Sequence, residues 1–409
     1  MLKTLIETGA LSSSRFRWFY CGRTVSLFGR AMTPVALAFA VLQARNGQQL
    51  LGYILAAEIL PNVLMLLIGG NIADRYRRDR ILLLCNLGSG LSQTGIAAIV
   101  LMGANSYLIF PLAISNGVLA AFTSPAMRGI IPEIVDSKDI KQANSLLNTS
   151  SSAAKIVGPT IAGVLVATVG GGWGIAIDAV SFFISALCLT RVHIPSRPSM
   201  TDSSLLQQMR EGWAYFRHRR WIWSITAGFA LMNAVQMGVW QVLGPIMAEN
   251  TFGSAGWGLT LGVKSVGLLV ASVAMLRFEL RRPLRDSMLA VAVSGIPMIV
   301  LGQGYALPYL LIATAFAGAG QTISGIGWDT TLQQAVPKDK LSRVCAFDDF
   351  GSYAAIPVGE ILAVPLAEIF GYQTVATVGG LVFIVVALLP LLEPQVRRVT
   401  TENIQSLNV

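Results

Sequence analysis

Residues 69–81 read GGNIADRYRRDRI, two glycines and six charged residues set between two long apolar runs. Such an interruption is unusual in this chain. Of its 409 residues 54% are hydrophobic and 12% charged, with a mean hydropathy of +0.62, whereas soluble domains carry about a quarter charged residues. The composition is that of a polytopic membrane protein. A spanning helix needs about 20 mostly apolar residues plus a few for each loop, so the chain has room for roughly twelve spans and little for a soluble domain. The N-terminal MLKTLIETGALSSSRF lacks a short apolar core followed by a small-residue cleavage site, and is read as part of the protein rather than as a signal peptide.

Working outward from 69–81, spans are expected near 17–43, 50–72, 80–103, 106–127, 143–168, 173–191, 221–247, 257–278, 286–303, 306–328, 343–369 and 373–392. The even-numbered loops between them hold almost all the loop arginines and lysines, from Arg75 and Arg80 to Lys338 and Lys340, while the odd ones hold only Arg45. Because basic residues concentrate in cytoplasmic loops, both termini are expected in the cytoplasm, and the net charge of +9 belongs to the inner membrane face and its lipids. The high charge needs no nucleic-acid partner. The four cysteines fall at the cytoplasmic span ends and both histidines lie outside the spans, which argues for free thiols and against a disulfide framework or metal site.

The longest loop splits the spans six and six. Residues 138–170 lie over 339–371 at a constant shift of 201, so that Ser151, Ala153, Ala154, Val157, Gly158 and Gly170 meet Ser352, Ala354, Ala355, Val358, Gly359 and Gly371. A parallel repeat of six spans is the plan of a rocking transporter with its substrate site near the midplane. The expected fold is therefore all-α, twelve transmembrane helices in two six-helix bundles: 1–191, then a linker 192–220 with an amphipathic helix, then 221–393, and a cytoplasmic tail 394–409.

Gly70, Asp74, Arg75 and Arg78 resemble the loop signature of the major facilitator superfamily, and Gly158, Pro159 and Gly163 resemble its antiporter motif. The stretches TVSLFGRAMTPVALAF, TSPAMRGIIPEIV, GIAIDAVSFF and LQQAVPKDKLSRV are similar to the branch of bacterial macrolide, multidrug and siderophore exporters. Two departures stand out: Arg77 and Asp79 where the signature usually has a glycine and a base, and Glu360 in place of the repeat partner of Pro159. The resemblance implies that Asp74 latches against the start of the eleventh span, near Ser342 to Phe347, where free backbone amides favour a carboxylate.

Ionisable residues inside spans are costly and so are functional candidates. Arg30 lies 13 residues beyond Arg17 and Glu58 16 residues before Asp74, about 20 and 24 Å at about 1.5 Å per residue, so their depths match and an ion pair is expected, either functional or only a tie between two spans. Lys155, Asp178, Lys264 and Glu360 are the other intramembrane charges considered. Proton coupling needs a carboxylate whose protonation changes, for which Glu58 and Glu360 come first and Asp178 third; Glu360 could instead pair permanently with Lys264.

The resemblance implies that spans 1, 4, 7 and 10 line the cavity. Their candidate cavity residues are Arg30 and Thr33; Asn116; Asn233, Gln236, Met237, Trp240 and Gln241, spaced as one helical face; and Gln321 and Trp328. Such a lining suits a large, partly apolar organic molecule, with Arg30 available to an anionic group. In the linker, Leu206, Met209, Trp213 and Phe216 form an apolar stripe expected to lie on the inner leaflet. The absence of GxxxxGK[ST] disfavours an ATP-driven pump. The expectation is a secondary active exporter, monomeric and without cofactor, that uses the proton gradient to move a drug-like or amphipathic compound across the bacterial inner membrane. A dedicated siderophore or metabolite exporter is the alternative, and a receptor or enzyme the remote one.

Overall fold

The computed structural model describes residues 9–43, 47–65, 77–136, 139–194 and 205–408. Among these there is no strand, and eleven helices are long and apolar enough to cross a membrane. The first unit comprises Met1–Met200 with Gly253–Gly258, the second Thr201–Phe252 with Leu259–Val409. The first carries α1 (Ser14–Leu42), α2 (Gly47–Met65), α3 (Arg78–Leu101), α4 (Ile109–Ile134), α5 (Ile140–Val169) and α6 (Gly171–Leu189). Here α2 stands for the second expected span, whose far end, with Gly70, Asp74 and Arg75, lies outside the described residues.

The linker forms α7 (Leu205–His218). After it, α8 (Arg220–Gln236) continues through a π-helical segment, Met237–Leu243, into α9 (Gly244–Glu249). Then come α10 (Gly253–Ala274), α11 (Pro283–Ala292) joined by a 3-10 turn to α12 (Ile296–Gly302), and α13 (Leu307–Ala335). The eleventh span is α14 (Lys338–Tyr353) with α15 (Ile356–Phe370), and the twelfth is α16 (Tyr372–Leu388). The C-terminal stretch folds back: Thr401 Oγ1 donates to the Leu280 carbonyl at 2.6 Å.

Glycine fixes the repeat where the backbone demands it. Gly103 (φ 62°) and Gly304 (φ 69°) turn the chain before α4 and α13, and Gly170 (φ 90°) and Gly371 (φ 87°) separate α5 from α6 and α15 from α16. Each pair is 201 residues apart, and each member occupies the left-handed region that side chains avoid. The other matched pair works by contact. A Cβ on Gly158 would stand 2.6 Å from the Ala31 Cβ, and one on Gly359 would meet the Ala234 carbonyl. The first and fifth spans, and the seventh and eleventh, thus cross at equivalent glycines.

In the second unit, α7 lies against the start of α14. Gly212 brings the helices together, since a Cβ there would come 2.7 Å from the Arg343 Cβ. Trp213 and Phe216 stack at 5.7 Å, and Phe347 meets their rings at 5.4 and 6.3 Å. The Trp213–Phe216 part of the stripe, expected on the inner leaflet, therefore packs on Phe347 of α14, with Trp213 still 49% exposed. The cations of Arg219 and Lys340 both lie over the Tyr215 ring, at 5.3 and 5.6 Å.

Two substitutions separate close packing from open space. Gly158→Leu is expected to lower stability by about 1–3 kcal/mol, the range for overpacking. Gly325, with no atom within 4 Å of an added Cβ, should accept alanine with a gain of about 0.5 kcal/mol from reduced chain entropy; thermal unfolding of the purified protein reads both. Gly212→Leu should lift α7 from α14, seen as faster proteolytic cleavage within 192–220 at an unchanged melting temperature of the helical units.

Candidate functional site

Each unit holds a buried carboxylate tied to three helices. In the first, Asp178 of α6 is 1% exposed. Its Oδ2 accepts from Thr33 Oγ1 of α1 at 2.7 Å and from Gln93 Nε2 of α3 at 3.0 Å, and its Oδ1 accepts from Ser181 Oγ at 3.3 Å. Gly29 leaves room for this, since a Cβ there would fall 2.7 Å from Oδ1. Nearby, Glu58 of α2 accepts from Asn116 Nδ2 of α4 at 2.7 Å. The expected Arg30–Glu58 ion pair is not formed. The Arg30 guanidinium lies over the Phe182 ring at 5.9 Å, within electrostatic reach of both Glu58 and Asp178.

Arg30 is exposed at the middle of α1, Lys155 is exposed at the middle of α5, and Pro159 is buried. An exposed cation at that depth requires water rather than lipid beside it. Gly163 lies where a Cβ would run into the Ser254 carbonyl, and Ser254 Oγ donates to the Gly163 carbonyl at 3.1 Å; both residues belong to the first unit. At the start of α3, Arg77 binds Asp79 through two hydrogen bonds (3.2 and 2.7 Å), which push its guanidinium up from its ordinary value. Arg78 pairs with Glu133 of α4 at 2.7 Å, so this member of the loop signature ties α3 to α4.

In the second unit, Asp348 of α14 accepts from Thr226 Oγ1 of α8 at 2.6 Å and from the Trp328 indole of α13 at 2.8 Å. Trp328 sits edge-on to Trp221 and Phe229, at 5.8 and 6.0 Å, and is packed inside the unit. Asn233 donates to the Ser352 carbonyl at 2.9 Å, and Gln321 to Gln236 Oε1 at 3.3 Å.

The five candidate cavity residues of the seventh span do not share one α-helical face. The turn widens from Met237 to Leu243, burying Trp240 to 3% exposure while Met237 and Gln241 stay half-buried. A π segment adds a residue to the turn, so the spacing that places side chains in line on an α-helix no longer does so beyond Gln236; such segments are frequent at functional sites. Lys264 lies over the Trp240 ring at 5.9 Å, without an ion pair to Glu360. Glu360, 5% exposed, follows the contact glycine Gly359.

Gln93 and Asp348 of these clusters escaped the sequence reading, as did Thr226, Ser181 and, on the helix of Arg30, Arg23. Gln93 carries no charge to draw the eye, and Arg23 and Asp348 lie near the ends of long spans, where a charge passes for an interfacial one. The signal for Arg23 was its spacing of seven residues from Arg30, two turns along the same helical face. All four cysteines are free thiols, and no group of His, Cys, Asp and Glu among the described residues is placed to hold a metal.

The model of the family described as transmembrane secretion effector matches residues 8–408. The chain is 27% identical over 391 residues to the multidrug efflux pump Tap of Mycolicibacterium fortuitum, covering 90% of this chain and 93% of that one. It is 23% identical over 391 residues to the enterobactin exporter EntS of Shigella boydii serotype 4, strain Sb227, covering 92% and 91%. Among solved structures, the nucleoside transporter NupG superposes with a TM-score of 0.77 at 12% identity, over 95% of this chain and 100% of that one. A POT family transporter does so with 0.74 at 13%, over 94% and 96%. These likenesses show the major facilitator fold, and with the family match they make the chain a multi-pass membrane transporter rather than an enzyme: it belongs to the transmembrane secretion effector family.

Proposed function

We propose that this protein is a secondary active exporter, moving a drug-like or amphipathic organic compound out of the bacterial cytoplasm in exchange for protons, by rocker-switch alternating access. The observation that carries this reading is the likeness, along nearly the whole of both chains, to an efflux pump and to siderophore exporters. The repeated matches to enterobactin exporters favour a second reading, a dedicated exporter of a siderophore or related metabolite.

The protein works as a monomer in the inner membrane with both termini cytoplasmic, in keeping with the loop charges. The bundles 1–191 and 221–393 alternate, joined by the linker 192–220, and Asp74 with Gly70 and Arg75 serves the gate. Glu58, Glu360 and Asp178 are the proton-coupling candidates. Burial supports the last two, since a buried intramembrane carboxylate is costly to keep charged and so is a functional candidate. Thr33, Asn116, Asn233, Gln236, Met237, Trp240, Gln241 and Gln321 contribute to substrate recognition. No cofactor takes part; the proton gradient is the energy source.

Everted membrane vesicles energised with an acid interior provide the test, with uptake of a fluorescent drug or a siderophore as the signal. Uptake should collapse when the pH gradient is dissipated, and Glu360→Gln or Glu58→Gln should cut it at least tenfold at unchanged protein level. Asp178→Asn should in addition lower the melting temperature, because the amide can no longer accept from Thr33, Gln93 and Ser181 together. At about 0.6 kcal/mol for each intramembrane hydrogen bond, the loss amounts to about 1–2 kcal/mol. Gradient-independent uptake, or full coupling in all three variants, would remove the antiport reading.

A further inference from the structure

We infer that Arg23 and Arg30 form an anion-binding site inside the first unit, and that the exported compound is an organic anion whose oxyanion head group enters between them. The substrate class rests on the export reading; the site itself does not.

The inference starts from an imbalance. Arg23 is half-buried ten residues into the helix α1, and among the described residues it has neither a hydrogen bond nor an ion pair; the charge that acts on it is another cation, Arg30. Two arginines two turns apart on one face of a spanning helix repel each other unless a negative group lies between them. Neither nearby carboxylate supplies it to Arg23. Glu58 is engaged by Asn116, and Asp178 by Thr33, Gln93 and Ser181.

What the two arginines do share is a cavity of about 10 Å³, lined by both of them and by Asn86, Ser89, Asn116 and Thr123. That is room for about one water molecule, or for one oxygen of a head group. Arginine presents its N–H groups in a planar fork that matches a carboxylate, and neutral hydroxyls and amides around it complete such a site without competing in charge. Phe182, also on the cavity wall and beneath the Arg30 guanidinium, offers an apolar face to the body of the ligand. Arg30 is exposed, so one oxygen of the head group can lie inside and the rest of the ligand outside. Lys155, exposed one turn before the Gly158–Ala31 crossing, adds a third positive charge near the same depth.

The test compares 2-naphthoate with 2-naphthamide, which share shape and differ in charge. Binding is followed by tryptophan fluorescence of the purified full-length protein, and transport by uptake into energised everted vesicles. Naphthoate is expected to bind at least tenfold more tightly than naphthamide. Arg23→Gln and Arg30→Gln should each abolish that preference, Arg23→Lys should retain part of it, and Arg398→Gln in the C-terminal segment should leave it unchanged. Should Arg23→Gln fail to fold, Ser89→Asp supplies the missing carboxylate within the cavity: it should raise the melting temperature and remove the preference for naphthoate. Equal affinities for the two compounds, no binding of either, or a preference that survives both Arg23→Gln and Ser89→Asp would overturn the anion site. Preferential binding without gradient-driven uptake would leave the site standing and overturn the export reading, whereas gradient-driven uptake of both compounds with equal affinity would do the reverse.

Discussion

The Asp178 carboxylate meets a hydroxyl from α1, an amide from α3 and a hydroxyl of its own helix, and this one set of hydrogen bonds sets how the first unit is put together. In hydrocarbon no solvent replaces a missing partner, so a buried acid fixes the rotation of every helix that donates to it. Asp348 does the same for the second unit through Thr226 and Trp328. Lipid tails are as apolar as leucine, so the apolar surfaces that hold a soluble bundle together do little here. Polar ties and close backbone contacts take their place.

The backbone contacts depend on glycine at the crossings. Gly158 lets α5 reach α1, Gly359 lets α15 reach α8, and Gly212 seats the linker helix on α14. The last contact places Phe347 and the cations Lys340 and Arg343 around α7. The linker is thus an anchored part of the second unit over its helical half.

Much of the fold was legible in the sequence, because apolar length and loop charge report directly on crossing a membrane. The span positions, the amphipathic linker helix and the repeat at 201 residues all follow from that physics. The site was harder to read. Depth along a helix matched Arg30 with Glu58 but says nothing about rotation, and rotation gave Glu58 to Asn116 instead. A regular 3.6-residue period placed Trp240 on the face of Asn233, until the π segment shifted it into the interior. Partners supplied by uncharged residues, such as Gln93, leave no trace in a charge pattern. Trp328 looked like a cavity residue because amphipathic aromatics line cavities, yet its indole serves Asp348.

The glycine pairs 103/304 and 170/371 keep the same unusual backbone angle in both halves, while most side chains between them have diverged. A duplicated half-protein whose shape is held by a few main-chain angles is free to change its chemistry one copy at a time. Lys155 faces an isoleucine, Ile356, across the repeat, and Pro159 faces Glu360. At these two matched positions the copies therefore differ in charge: an ammonium in the first meets an alkyl group in the second, and a proline ring meets a buried carboxylate.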